Sequence, residues 1–223
     1  MRFLLRVFAE TALVSPRLAR TRFGASLLLL GLILIWLCSR GLDPVTTVLQ
    51  AGALGAVMGA AWVAGNSRDR AALATALTHP TTPLAIATGR WVATVLPAAL
   101  LTTACAIVSG ADGSAIAAGS VAAAAVGAIA LATVLLLGNG AAVMLFLVMA
   151  VAGTIAPERL VGLTHPGVVR LAAAGVLELG PALWRYRDIG TGDWLAMVHA
   201  LAWTGVGVLL ASALVARQRT ASQ

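Results

Sequence analysis

The chain has no lysine: its fifteen basic residues are all arginines, set against eight acidic ones. A P-loop needs a lysine to reach the β- and γ-phosphates of a nucleotide, so an ordinary Walker ATPase site is excluded from these 223 residues. Charge of either sign is scarce. Only 10% of the residues are charged, 60% are hydrophobic, and the mean hydropathy is +0.96, outside the range of soluble domains. This composition is that of an integral membrane protein, with membrane lipid as its surroundings and no nucleic-acid partner expected.

Other chemistry is equally thin. The two cysteines, Cys38 and Cys105, fall near the same expected side of the membrane. They can pair only if their helices are neighbours, and buried free cysteine is the commoner use. His79, His165 and His199 lie in three separate regions with no helical pairing, so no metal-ligand set is expected, and each reads as a capping, turn or packing residue. No Asp, Glu or Arg falls in the middle of an apolar run, which argues against a carrier driven by ions or protons. An apolar stretch begins only at Phe23, after a basic leader, and Leu37 before Cys38 is not the small residue of a lipoprotein cleavage site. A retained first span is expected.

What remains is apolar helix. Uncharged runs cover 23–39, 44–67, 91–111, 113–157 and 194–216. A charge at the bilayer centre costs about 2.5–3.5 kcal/mol, and a helical span takes about 20 residues. The long fourth run therefore holds two spans turning at Gly138, Asn139 and Gly140, for six in all. With the N-terminus inside, ten arginines fall on the cytoplasmic side and five (Arg40, Arg159, Arg170, Arg185, Arg187) outside, in keeping with the positive-inside rule. Both termini are expected in the cytoplasm of a cell with this chain in its inner (plasma) membrane. Trp36, Trp62, Trp91, Trp184 and Trp194 fall near expected interfaces, and only Trp203 sits in mid-span.

The fold expected is all-α, a single polytopic domain over 1–223. Residues 1–22 form an interfacial segment of two short helices, the second capped at Ser15-Pro16. Phe3, Leu4, Val7 and Phe8 share one face, and Arg2, Arg6 and Glu10 the other. Gly55 and Gly59 allow close approach of another helix, within the chain rather than between chains. Residues 157–193 alternate apolar stretches with prolines and charges and read as short re-entrant outer helices, with Glu178 facing either outer water, the commoner case for an ionisable group, or a substrate path.

The longest polar interruption in the first two thirds of the chain is Asn66 to Pro97. Ser67 caps a helix, Arg68, Asp69 and Arg70 fill its first turn, Leu73 and Leu77 share its apolar face, and Pro80 with Pro83 stops it. Gly89-Arg90 then enters the third span. A stiff helix held at both ends transmits a push, and 66–83 is the expected coupling segment.

This order of features resembles the membrane subunit of type-2 ABC exporters: a basic interfacial helix, two spans, a short cytoplasmic helix, four more spans with re-entrant helices before the last, and a basic tail. Members of that class show an acidic residue, a leucine-bearing helix, a proline and, ten positions on, a Gly-Lys or Gly-Arg. Asp69, Leu73 and Leu77, Pro80, and Gly89-Arg90 stand in those places. The glycine that often follows the acidic residue is replaced by Arg70-Ala71. The resemblance implies a permease that is not itself an enzyme. It implies a second permease subunit, identical or similar, and two cytoplasmic ATPase subunits that carry the ATP and Mg, with no cofactor in this chain. The small-residue spans point to an amphipathic, lipid-like or small drug substrate.

Three alternatives stay open. The haem-export subunit of cytochrome c maturation has a similar length and a proline-rich step before its third span. An intramembrane hydrolase would use Ser109 and His199, although Ile107 stands where a G-x-S-G motif needs its first glycine. A non-transporting membrane scaffold would need no ATPase.

Overall fold

Small residues bring the helices of this protein close enough for backbone to meet backbone. The computed structural model describes residues 2–19, 22–65, 81–151 and 180–221, and every regular element among them is helical. These elements are α1 (Arg2–Ala19), α2 (Phe23–Ser39), α3 (Pro44–Ala64), α4 (Pro83–Ser109), α5 (Gly113–Leu137), α6 (Asn139–Val151), α7 (Leu183–Tyr186), a 3-10 turn (Arg187–Thr191) and α8 (Trp194–Ala221).

Helix α3 is the axis of the bundle, buried on nearly all sides from Thr47 to Ala64. It crosses α5 where Gly52 abuts the Gly119 carbonyl, and a Cβ on Gly119 would stand 2.8 Å from the Val48 carbonyl oxygen. It meets α4 at two further points: Gly55 faces Ala98 at 3.3 Å, and Gly59 faces the Thr94 carbonyl at 2.9 Å, both measured from where a Cβ would sit. The two glycines of the small-xxx-small pattern are thus used within the chain. On the far side of α5, α8 packs through Gly207, whose missing Cβ would lie 2.7 Å from the Ala128 Cβ. Close approach of this kind replaces the hydrophobic drive that helices in lipid lack.

Among the described residues, four helices are long and apolar enough to cross a membrane: Pro44–Ala64, Pro83–Ser109, Gly113–Leu137 and Trp194–Gln218. Shorter apolar helices, Phe23–Ser39 and Asn139–Ala150, occupy the other two positions where spans are expected. The turn between α5 and α6 falls at Gly138, with φ of 82°, a conformation that favours glycine. Leu28, Leu29, Leu32 and Trp36 on α2, and Leu195, Val198, Leu201 and Leu209 on α8, are exposed, which suits lipid-facing surface.

The chain departs from its sequence reading in two places. Helix α1 is one helix through Ser15-Pro16 rather than two pieces; proline's φ is itself helical, and its missing N–H removes only one bond of the ladder. Helix α4 starts seven residues before Arg90, because Thr82 caps it by accepting from the Ala85 N–H at 3.3 Å and Pro83 occupies the first turn. Pro83 therefore begins a helix instead of ending one. The structure also sets the orientation of α1. Leu4, Leu5 and Phe8 point outward, 60–73% exposed, while Glu10 and Thr11 turn toward the bundle. A helix with polar groups inward and apolar groups outward is built for a lipid surround.

The bundle has two ends. One holds the start of α3 at Asp43, the C-terminus of α4 and the N-terminus of α5, where Val45 and Val48 pack with Ala106, Ala111 and Ala115. There Asp43 accepts from the Thr46 N–H at 3.0 Å and from Arg187 of the 3-10 turn at 3.1 Å. The opposite end holds the C-terminus of α3, the N-terminal turns of α4 and, between them, Arg90.

Candidate functional site

Arg90 is a charged side chain only 3% exposed, two turns inside α4. The sequence places it at the mouth of a span, whereas the structure places it within the packed helices. Its Nε donates to Glu10 Oε1 of α1 at 3.2 Å, and its Nη1 donates to the Val63 carbonyl at 3.3 Å. Val63 belongs to the last turn of α3, where the carbonyls run out of N–H partners within the helix. A guanidinium there both satisfies an orphan acceptor and meets the negative end of the helix dipole. One side chain thereby ties α4 to α1 and to α3.

Gly89 explains how α1 comes so near. A Cβ at that position would stand 2.7 Å from the Glu10 Cβ and 3.0 Å from the Val7 carbonyl oxygen, so any larger residue would hold α1 off. The gap is then bridged by Thr11, whose hydroxyl lies 3.1 Å from the Gly89 carbonyl and 2.9 Å from the Val7 carbonyl. Below Arg90, the Thr94 hydroxyl donates back to the Arg90 carbonyl at 2.9 Å, and Trp91 donates its indole N–H to the Ala124 carbonyl of α5 at 2.9 Å. Trp91, expected at the lipid interface, spends its polar atom inside the protein.

Of the residues singled out from sequence, Gly89 and Arg90 come together in this junction. Arg68, Asp69, Arg70, Leu73, Leu77 and Pro80 lie outside the described residues, as do His79, His165 and Glu178. What the structure does place is the two ends of that polar segment. Gly65 caps α3, its N–H bonded to the Ala61 carbonyl at 2.9 Å, and it sits against the Asn139 side chain at the start of α6. Thr82 caps α4 on the other side.

Glu10 was missed as a functional residue. Its signal was present: it is the only acidic residue before Asp43, set in a segment with five arginines. A second unanticipated cluster is at the Asp43 end of α8. His199 Nδ1 lies 3.2 Å from the Tyr186 hydroxyl, and Trp203 Nε1 donates to His199 Nε2 at 3.1 Å. Ser109, the other member of the hydrolase alternative, donates to the Ala106 carbonyl of its own helix at 3.4 Å. Among the described residues, no three His, Cys, Asp or Glu side chains gather to hold a metal ion.

Comparison with protein-family models, with curated proteins and with solved structures found no match for this chain.

Proposed function

We propose that this protein is the membrane subunit of an ATP-driven exporter of the type-2 ABC kind. It crosses the inner membrane six times with both termini in the cytoplasm. It works as a pair of permease subunits with two separate ATPases that bind ATP and Mg, and it moves an amphipathic or lipid-like molecule or a small drug. The observation that carries this reading is the Arg90 junction, which joins α1, α3 and α4 at the end of the bundle where the 66–80 segment is attached.

In this reading the segment around Asp69, Leu73 and Leu77 seats on the ATPase. Closure of two ATPases on ATP displaces it. The displacement reaches the end of α3 through Gly65 and the start of α4 through Thr82. Arg90 keeps those two helices in register, and Glu10 carries α1 with them, so the subunit tilts as a body. The outward apolar face of α1 slides along the inner leaflet without exposing polar groups to lipid.

The test is to purify the chain from its native membrane in mild detergent, with any ATPase that accompanies it, and measure ATP hydrolysis. Hydrolysis that depends on the chain, and falls on Asp69→Ala and Leu73→Ala substitution, is the expected result. An ATPase that does not co-purify, or whose rate ignores both substitutions, overturns the reading.

A further inference from the structure

We propose that Cys38 and Cys105 are an intrachain disulfide pair, a modification site that ties α2 to α4 at the Asp43 end of the bundle. The structure holds both as free thiols, Cys38 half-buried and Cys105 fully buried. This inference is independent of the transport reading.

The pairing follows from how the two helices lie. Both run toward the Asp43 end, so they are parallel neighbours. They touch where the Leu101 Cδ1 fills the place of the missing Gly31 side chain, 2.9 Å from where its Cβ would be. The buried stripe of α2 is Phe23, Leu30, Gly31 and Leu34, and Cys38 continues it one turn beyond Leu34. On α4, Cys105 follows Leu101 by one turn. From the Gly31 contact, Cys38 is about 10 Å further along α2, and Cys105 is about 6 Å beyond Leu101 along α4. The difference is taken up because a helical leucine leans toward its own N-terminus, which puts the two sulfurs at nearly one level. A glycine at the contact permits the close approach of two helices that a disulfide's Cα spacing of about 4.4–6.8 Å requires.

Exposure assigns the order of events. The Cys38 thiolate attacks a small external disulfide, forming a mixed disulfide and releasing one thiolate. The Cys105 thiolate then attacks Cys38 Sγ and releases the second. Two protein thiols are oxidised, one external disulfide is reduced to two thiols, and the protons of Cys38 and Cys105 pass to the departing thiolates. Cys105, without solvent access, enters only as the resolving thiol.

The experiment treats membranes containing the full chain with oxidised glutathione or, separately, with copper-phenanthroline. The protein is then denatured, and its remaining thiols are counted by the gel shift of a polyethylene-glycol maleimide. Wild type is expected to lose both maleimide additions under either oxidant, to run as a single chain without reductant, and to regain both additions with dithiothreitol. Under glutathione, Cys38→Ser keeps its one addition, while Cys105→Ser loses its one and gains the mass of one glutathione. Wild type that keeps both additions under both oxidants overturns the proposal. So does wild type that stalls as a Cys38 glutathione adduct, or that links only between chains.

Discussion

Arg90 and Glu10 stand eighty residues apart in the chain and 3.2 Å apart in the fold, both largely withdrawn from solvent, 3% and 12% exposed. Removing one partner of a buried pair strands the other charge, which costs about 3–5 kcal/mol. Arg90→Ala is therefore expected to lower stability by that order, read as a fall in the thermal midpoint of the detergent-solubilised protein. Arg90→Lys keeps a charge but loses the fork that serves Glu10 and Val63 together, and should forfeit one charge-assisted bond, about 1.5–3 kcal/mol. The combined Glu10→Ala and Arg90→Ala variant should recover part of the loss. Strict additivity of the two single changes would show that the pair is not coupled.

Gly89→Ala tests the same junction by shape instead of charge. The added methyl would press on the Glu10 side chain at 2.7 Å and the Val7 carbonyl at 3.0 Å, and overpacking of this kind costs about 1–3 kcal/mol. Because the pressure falls on α1 alone, the expected signature is local: faster proteolysis within residues 1–22 while the rest of the bundle stays resistant. A uniform gain in protease sensitivity along the chain would point to a general packing defect instead.

These two residues also show what could be read from the sequence. The ends of α2, the start of α3, the start of α5 and the turn at Gly138 were legible because Arg40, Asp43, Asp112 and glycine mark them with charge or a backbone conformation. The start of α4 is not, because a charge such as Arg90 reads as a boundary in sequence, whereas it lies within a helix. A charge ends a span only if nothing pays for its burial, and here the partners are Glu10 in α1 and a carbonyl in α3, neither of them local to Arg90. The inward side of α1 is likewise not a local matter: its apolar stripe is visible in sequence, but Glu10 and Thr11 find their partners on α4. Among the described residues four of the expected helices are long enough to span, and the polar segment from Arg68 to Pro80 lies outside the described residues.

At the crossing of α3 and α5, Gly52 and Gly119 bring the two backbones together, and the Thr102 side chain of α4 lies against both. Gly119→Ala would place a methyl 2.8 Å from the Val48 carbonyl, and backbone cannot rotate aside as a side chain does. A loss at the upper end of the overpacking range, about 3 kcal/mol, is expected. Gly205→Ala on α8, with nothing within 4 Å of its Cβ position, should change the thermal midpoint little or raise it slightly through helix propensity. Equal effects at the two positions would rule out the crossing as the reason.

An indole N–H only donates, so the bond from Trp203 fixes His199 Nε2 as the acceptor and leaves the ring proton on Nδ1, toward the Tyr186 hydroxyl. Tyr186 is fully buried, and Tyr186→Phe should cost about 0.5–1.5 kcal/mol for the lost bond. In the labelled protein, nitrogen NMR should show the neutral Nδ1–H tautomer at His199. Finding the proton on Nε2 would contradict the arrangement. After Trp203→Phe, the tautomer preference should relax, because nothing then holds Nε2 as an acceptor.

Asp112 lies outside the helices at the start of α5, fully exposed, and caps it. Its carboxylate accepts from the Ser114 hydroxyl at 2.6 Å and from the Ala115 N–H at 2.9 Å. These bonds, the Ser114 hydroxyl first, hold its pKa below the ordinary carboxylate value. A group whose pKa is lowered by folding stabilises the folded state when ionised. Its contribution is therefore fully present above the unfolded value of about 3.9 and is lost as pH falls through the lower folded value. Acidification below about pH 4 should thus loosen the first turn of α5, seen as faster hydrogen exchange at Ala115 and Ile116. Asp112→Asn keeps an oxygen to cap the helix but has no proton to gain. Its exchange rates at those two amides, once corrected for the intrinsic effect of pH, should not accelerate across the same interval, and an acceleration equal to that of wild type would show that Asp112 is not the titrating group.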